Sequence, residues 1–152
     1  MIGDKLFLID SNIFIYGIDS SETSKHLIAK NLLKLCWLGK KTYCVSLQNL
    51  SEFFVNSTRK VAKPLSKEKG AKIVNKIIEF DGFKKLEPTK GTLKKAMDIS
   101  IKKNIEYWDA LIAATMIENN ISHIYTENIK DFRIEGITAV NPFEKLEESL
   151  KE

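Results

Sequence analysis

Short apolar runs alternate along the chain with longer segments in which apolar residues recur every three or four positions. The short runs are typical of strands buried in a sheet, and they cover residues 5–10, 43–46, 83–86, 123–126 and 137–140. The longer segments have the period of helices that pack on a core, and they cover residues 20–38, 47–58, 67–80, 91–103 and 107–118. This order predicts strand-helix units that follow one another along the chain.

Capping residues mark the predicted helix ends. Residues 20–23 contain Ser and Thr N-cap candidates for the first predicted helix, and Gly39 is its stop. Ser66 and Thr89 are N-cap candidates for two later helices. A last short helix is predicted over residues 141–150, where Asn-Pro introduces it.

Strands that alternate with helices predict a parallel sheet covered on both faces. We therefore expect an α/β, Rossmann-like fold in three layers (α/β/α), with a central parallel sheet of about four to five strands. The chain has 152 residues, the length of one ordinary domain, so residues 1–152 are expected to form a single domain. The segment 107–118 is apolar on nearly every side, which predicts the central buried helix.

Composition adds little about function. The net charge of +4 favours a polyanionic partner only weakly, because it comes almost wholly from Lys. The two cysteines, Cys36 and Cys44, show no metal-ligand spacing and no signal peptide is recognised, so a reduced, cytoplasmic setting is expected. No apolar run approaches the roughly 20 residues that cross a bilayer, so no membrane role is expected.

Three acidic residues border the predicted core. Asp10 ends the first strand, Glu52 lies on the polar side of an apolar helix, and Asp109 lies in the first turn of the most apolar helix. Taken singly, each has an ordinary explanation as a helix cap, a dipole partner or a solvated side chain. Acids that converge at the carboxyl edge of a sheet repel one another unless a cation holds them. Oxygen ligands without His or Cys spacing favour Mg²⁺ or Mn²⁺ over Zn²⁺.

Four segments together resemble the signature blocks of PIN-domain ribonucleases, especially VapC-type toxins. They are FLIDSNIFIY around Asp10, VSLQNLSEFF around Glu52, YWDALIAATMIE around Asp109, and YTENIKDF before NPF. The resemblance spans nearly the whole chain and implies a PIN domain over residues 1–152. It implies metal binding by the three acids and by a fourth position between residues 126 and 132.

The fourth position departs from the simplest family pattern. Asn128 stands where many members have an acid two residues after the Thr, and Asp131 lies three positions further on. We expect Asp131 to be the fourth acid and Asn128 to be a direct or supporting ligand, while Glu127 remains an alternative. Ser11, Asn12, Ser46 and Thr126 are expected near the same edge, where they could orient carboxylates or water.

The resemblance implies hydrolysis of RNA phosphodiester bonds, with one or two Mg²⁺ ions orienting the phosphate and activating water. Such a site needs no histidine base, and His26 and His123 are interpreted as structural or surface residues. Phe14, Tyr16 and Trp108 could stack on a base, although packing is the expected role. The implied partners are RNA, a second copy of the chain and an antitoxin. The apolar faces around Leu32, Leu35 and Phe53 could form those contacts or the core.

Three other functions keep a similar fold. A catalytically degenerate binding or regulatory module is favoured only by Asn128. An aspartyl phosphatase needs a second acid two positions after Asp10, where this chain has Asn12. A dinucleotide-binding or P-loop protein needs a glycine-rich first turn, and the Asp-Ser-Asn turn after the first strand has no glycine.

Overall fold

The computed structural model describes residues 5–144, which contain a five-stranded parallel sheet. The strands are β1 (Phe7–Ile9), β2 (Tyr43–Ser46), β3 (Phe83–Leu86), β4 (His123–Tyr125) and β5 (Thr138–Val140). They lie in the order β3-β2-β1-β4-β5, and every neighbouring pair is parallel. The expected α/β sheet of four to five strands is thereby confirmed.

Helices cover both faces of the sheet. They are α1 (Ser11–Ile18), α2 (Thr23–Trp37), α3 (Leu47–Arg59), α4 (Lys67–Glu79), α5 (Lys90–Lys103) and α6 (Tyr107–Glu118), with a 3-10 turn at Ile129–Phe132. Ser66 and Thr89 cap α4 and α5 through their side chains, as predicted. Gly39 has a φ of +72°, a left-handed conformation that favours glycine after a helix end.

Two helix starts differ from the sequence predictions. The periodicity did not predict α1, because its eight residues are mostly Ile and aromatic residues, which have strand propensity. The Asp10 side chain starts this helix by accepting a hydrogen bond from the Ser11 amide. The predicted Ser or Thr N-cap of α2 within residues 20–23 was wrong, because the N-cap is Glu22 and its side chain makes no capping hydrogen bond. Of the predicted helix over 141–150, the part after residue 144 lies outside the described residues.

Alternating side chains of the strands divide the core into two layers. Ile9 and Val45 face a cluster contributed by α1 to α4, with Phe53 of α3 among its fully buried members. Leu8 and Cys44 face the opposite way, onto α6. Both faces of the central strands are thus covered, which explains their continuous apolar runs and confirms the three-layer architecture.

Helix α6 is the buried helix that its sequence predicts. Every residue from Ala110 to Met116 is buried. Alanines at 110 and 114 pack with Ala96 of α5, where small side chains let the two helices approach. This packing holds the first turn of α6, with Asp109, at the border of the core.

The strand order reverses beside β1. The chain runs outward from β1 through β2 to β3 and then returns to place β4 on the other side of β1. The Asp10 amide, just after β1, donates to the Tyr125 carbonyl at the end of β4 (3.1 Å). Ligand sites of open α/β sheets form at such switch points, so the geometry directs attention to Asp10. No helix within residues 5–144 has the length and apolar composition needed to cross a membrane.

Candidate active site

The Asp10 carboxylate lies at this switch point and is only 6% exposed. Its Oδ1 accepts hydrogen bonds from the Ser11 amide (2.8 Å) and from Asn49 Nδ2 (3.3 Å). Its Oδ2 accepts from Thr126 Oγ1 (2.7 Å) and from Asn12 Nδ2 (3.4 Å). Asp10 therefore caps α1 and also faces residues from α3 and from the end of β4, so its side chain has one fixed orientation.

The donors around Asp10 are themselves held in place. Asn49 forms a capping box with Ser46, whose hydroxyl donates to Asn49 Oδ1 at 2.7 Å. Thr126 Oγ1 accepts from the Asn128 amide at 3.0 Å, and Asn12 also donates to that hydroxyl. The sequence analysis anticipated Asn12 and Thr126 but missed Asn49. The Ser-x-x-Asn spacing at the start of α3 is the signal that could have located it.

Glu52 points to the same region from the second turn of α3. Its Oε2 accepts from Ser11 Oγ (3.1 Å) and its Oε1 accepts from Gln48 Nε2 (2.9 Å). Gln48 Nε2 also donates to the carbonyl of Trp108 (2.9 Å), the residue before Asp109. Gln48, which the sequence analysis did not single out, thus connects Glu52 to the first turn of α6.

Burial and neighbouring charge weaken the acidity of Asp10. Its pKa is raised from the ordinary 3.8 to about 6 by all effects together, and burial is the largest of them. The hydrogen bonds from Thr126 and Ser11 lower the pKa, while repulsion by the carboxylates of Glu52 and Asp131 adds to the increase. Asp10 therefore lies within electrostatic range of two other candidate acids.

Asp109 shows the same effect from the other side. The pKa of this carboxyl is raised from 3.8 to about 7 by all effects together, and burial is again the largest cause. The charges of Asp131, Glu106, Asp10 and Glu52 contribute the rest of the increase, in that order. The structure therefore brings Asp10, Glu52, Asp109 and Asp131 into one electrostatic group.

Asp10, Glu52 and Asp109, but not Asp131, line an open cavity of about 530 Å³, here named the acidic cavity. Its lining includes five acidic residues, Asp10, Asp19, Glu22, Glu52 and Asp109. Among the described residues that line it, Lys60 alone carries a positive charge. Such an excess of carboxylates favours the binding of a cation.

The donor set fits a hard divalent ion. Carboxylates supply oxygen ligands, and neither His26 nor His123 lines the acidic cavity. Within residues 5–144, no group of three acidic, His or Cys side chains is positioned to hold a metal ion. Mg²⁺ commonly keeps several waters and is bound through one or two carboxylates, so a site without a closed protein cage agrees with that ion.

The three candidates for the fourth position occupy different places. Asp131 lies in the 3-10 turn, where its charge acts on Asp10 and Asp109. Asn128 lines the acidic cavity. Glu127 instead forms an ion pair with Lys25 (3.4 Å) and is not among the main causes of the pKa shifts of the two aspartates. The charge distribution therefore favours Asp131 over Glu127.

The three aromatic residues considered for base stacking also lie in different environments. Phe14 packs in the core, as expected, and is 4% exposed. Tyr16 lines the acidic cavity and also packs against Phe143. Trp108 is 57% exposed, so the expected packing role was wrong for this residue. An apolar side chain in the first turn of a buried helix can still point outward, because that turn emerges from the core.

Other side chains have structural roles. His26 Nδ1 lies 2.8 Å from the Tyr16 carbonyl and His123 Nδ1 lies 2.7 Å from Ser122 Oγ, and neither histidine lines the acidic cavity. Phe53 belongs to the core and Leu32 packs against it, so the core alternative was right for these two. Cys36 and Cys44 are free and buried.

Comparisons with known proteins agree with this geometry. A family model described as PIN domain matches residues 7–134. Mycobacterium tuberculosis VapC20, a Sarcin-Ricin loop cleaving toxin, is similar with a TM-score of 0.63 and 16% identity, over 79% of this chain and 88% of that chain. A toxin-antitoxin complex from Klebsiella pneumoniae gives a TM-score of 0.59 and 21% identity, over 90% and 97%. Curated protein sequences give no significant match.

The raised pKa values predict how stability depends on pH without metal. A carboxyl whose pKa is higher in the folded chain binds more protons when folded, so its contribution to the free energy of unfolding falls as pH rises from 3.8 to about 7. Asp109→Asn removes this charge, so the melting temperature of the variant should exceed that of the parent increasingly over this range. Thermal melts in EDTA measure the difference.

Asp98→Asn is the matched control, because Asp98 is an exposed acid on α5 that pairs with Lys102 (3.1 Å). Its melting temperature relative to the parent should not rise over the same pH range. If the difference in melting temperature between Asp109→Asn and the parent stays constant with pH, the crowding of these acids is contradicted.

Proposed function

Since the chain belongs to the PIN-domain family, we propose that it is a Mg²⁺-dependent endoribonuclease, the toxin of a toxin-antitoxin pair. The observation that carries this proposal is the electrostatic group formed by Asp10, Glu52, Asp109 and Asp131 beside the acidic cavity. The proposed reaction is hydrolysis of an RNA phosphodiester bond, and Mn²⁺ is a proposed substitute for Mg²⁺.

The proposed metal-binding residues are Asp10, Glu52, Asp109 and Asp131, with Asn128 as a further oxygen donor. Since no three acids within residues 5–144 are positioned together to hold an ion, one or two would bind it directly and the others through its waters. When bound, a divalent cation would supply the positive charge that neutralises the phosphate oxygens. The hydrogen bonds to both Asp10 oxygens keep this carboxylate oriented. Lys60, on the rim of the acidic cavity, is positioned to contact a phosphate of the incoming strand.

The chain's own carboxylates are the proton acceptors that the cavity offers. No histidine is among the described residues that line it. Water attacking the phosphate must lose a proton, and the Glu52 carboxylate is a candidate acceptor, since Ser11 and Gln48 hold its two oxygens in place. A binding module without catalysis would keep the same fold but would not need these positioned acids.

Cleavage of RNA by the purified protein tests the proposal. We expect a pool of structured RNAs to be cut with Mg²⁺ and left intact in EDTA. Asp10→Asn and Asp109→Asn should each lower the rate by at least about a hundredfold, because loss of a mere supporting partner of a metal ligand already costs about 10- to 100-fold. Gel analysis of the RNA with time measures the rates.

The control variant Asp98→Asn exchanges an exposed acid outside the acidic cavity and should cut like the parent. Asp131→Asn should reduce the rate much more than Glu127→Gln if Asp131 is the fourth acid. Absence of cutting by the parent with either metal would favour the binding-module alternative. Equal cutting in EDTA would show that the reaction does not need a metal ion.

A second copy of this chain is a proposed partner. Leu93, Met97 and Ile101 are 42%, 49% and 81% exposed and lie four residues apart on α5, which places them on one face of the helix. An exposed apolar stripe of this kind is typical of a protein interface. We propose that it contributes to a homodimer.

Analytical ultracentrifugation tests the dimer. Met97→Lys should raise the dissociation constant by at least about tenfold, because a charge at the centre of an apolar interface loses its hydration. Leu27→Lys is the matched control, since Leu27 is 54% exposed on α2 and lies outside the stripe. A monomeric parent, or equal association of both variants, would exclude this interface.

An antitoxin is the second proposed protein partner. The similarity to a chain of a toxin-antitoxin complex and the acidic lining of the cavity support it, because a basic segment would complement that lining. Co-expression with the product of a neighbouring gene should relieve the growth inhibition that this chain causes. Inhibition that persists with a soluble product would count against that partner.

The proposed setting is the cytoplasm, where two free buried cysteines stay reduced.

A further inference from the structure

A second opening adjoins the acidic cavity and has a different chemistry. This opening, here named the Trp108 cleft, has a volume of about 320 Å³ and is lined by Gln48, Ser51, Glu52, Val55, Asn56 and Trp108. Glu52 and Asn56 line both openings, so the two are adjacent. Apart from Glu52, the side chains that line the cleft carry no charge.

The exposed apolar surface of the Trp108 cleft comes from two residues. Trp108 is 57% exposed and Val55 is 41% exposed. Large apolar side chains are usually removed from water, and tryptophans left at the surface are enriched where ligands or partners bind. Trp108 also directly precedes Asp109 in α6, which places it next to the candidate site.

Two contacts restrict the position of Trp108. Its carbonyl accepts from Gln48 Nε2, the atom that also donates to Glu52 Oε1. Its ring meets the Tyr107 ring edge to face, with centroids 5.3 Å apart. The main chain at Trp108 is thereby fixed relative to Glu52, and the ring is restrained before any ligand arrives.

We infer that the Trp108 cleft is a nucleobase subsite, in which an unpaired base beside the scissile phosphate stacks on the indole of Trp108. The inference rests on the proposed function and names its substrate class, RNA with an unpaired nucleotide at the cut. A phosphate would be repelled by Glu52 and would find no cation lining the cleft. A base is flat, largely apolar and uncharged, which suits an indole with Val55 next to it.

The side-by-side arrangement of the two openings agrees with the covalent geometry of an RNA strand. A nucleotide's phosphate and base are covalently joined and prefer opposite surroundings, the phosphate near cations and the base on an apolar ring. The acidic cavity, with a cation bound, provides the first surrounding and the Trp108 cleft provides the second. A paired base lies inside a helical stack and cannot reach the indole, so the subsite selects nucleotides that are unpaired.

Steady-state cleavage of a single-stranded RNA with Mg²⁺ tests the subsite. Trp108→Ala should lower kcat/KM by about tenfold, the size expected for loss of one stacked base. Trp108→Phe should retain most of the activity, because a phenyl ring still stacks. Trp37→Phe is the control, since Trp37 is the second tryptophan and packs against Phe80 and Phe83 away from the cleft.

Abasic nucleotides distinguish stacking from a structural effect of the substitution. With the parent protein, one abasic position next to the cut should reduce kcat/KM about as much as Trp108→Ala does. With Trp108→Ala, the same abasic position should cause no further loss, because the two changes remove the same contact. Additive losses would overturn the stacking contact.

Fluorescence separates failure of the subsite from failure of the proposed function. In the Trp37→Phe, Asp10→Asn protein, Trp108 is the remaining tryptophan, and short homopolymeric RNAs should quench it while abasic ribose-phosphate chains should not. Metal-dependent cutting that is equal in Trp108→Ala and the parent would overturn the subsite and leave the nuclease intact. Quenching without any cutting by the parent would support base binding and contradict the proposed nuclease activity. Unchanged kcat/KM with altered self-association in Trp108→Ala would instead assign the cleft to a protein interface.

Discussion

The carboxylate of Asp10 accepts hydrogen bonds from groups in three separate parts of the chain. Ser11 belongs to α1, Asn49 to α3 and Thr126 to the end of β4, and all three meet on a side chain that is almost fully buried. A buried carboxylate without partners is costly, so the arrangement requires these segments to stay together. The switch point of the sheet is therefore fixed around one acid, and Ser11, whose amide donates to this acid, also donates from its hydroxyl to Glu52.

The same arrangement holds the acids in fixed positions and also weakens their acidity. Hydrogen bonds lower the pKa of Asp10, but burial and the carboxylates nearby raise it to about 6, and for Asp109 they raise it to about 7. The fold thus keeps acids where their negative charges are unfavourable at neutral pH. A bound cation would remove that penalty, so the proposed affinity for metal would arise from the repulsion that the fold maintains. The Trp108 cleft beside this cavity, in which Glu52 is the only charged lining residue among those described, is the proposed place for a base next to the proposed place for a phosphate.

The sequence was sufficient for the features that depend on local pattern. The buried strands, the apolar helix before Asp109 and the caps at Ser66 and Thr89 follow from periodicity and side-chain chemistry. Helix α1 was missed because its Ile-rich sequence has strand propensity and only the side chain of Asp10 starts it. Asn49, Gln48 and the exposure of Trp108 were missed because they depend on how α3 and α6 meet, which no single segment encodes. The sequence pattern pointed to Asp10, Glu52 and Asp109, the family resemblance added the fourth position, and the metal-binding role of these residues stays a prediction.

Titration calorimetry of Mn²⁺ into the metal-free protein at neutral pH tests the central claim most directly. The account predicts saturable binding that Mg²⁺ competes for, with protons released as the carboxyls of high pKa lose them to the ion. Binding should be lost in Asp109→Asn and kept in Asp98→Asn. No saturable binding to the parent, or equal binding to Asp109→Asn, would contradict the claim that these crowded acids form a metal site.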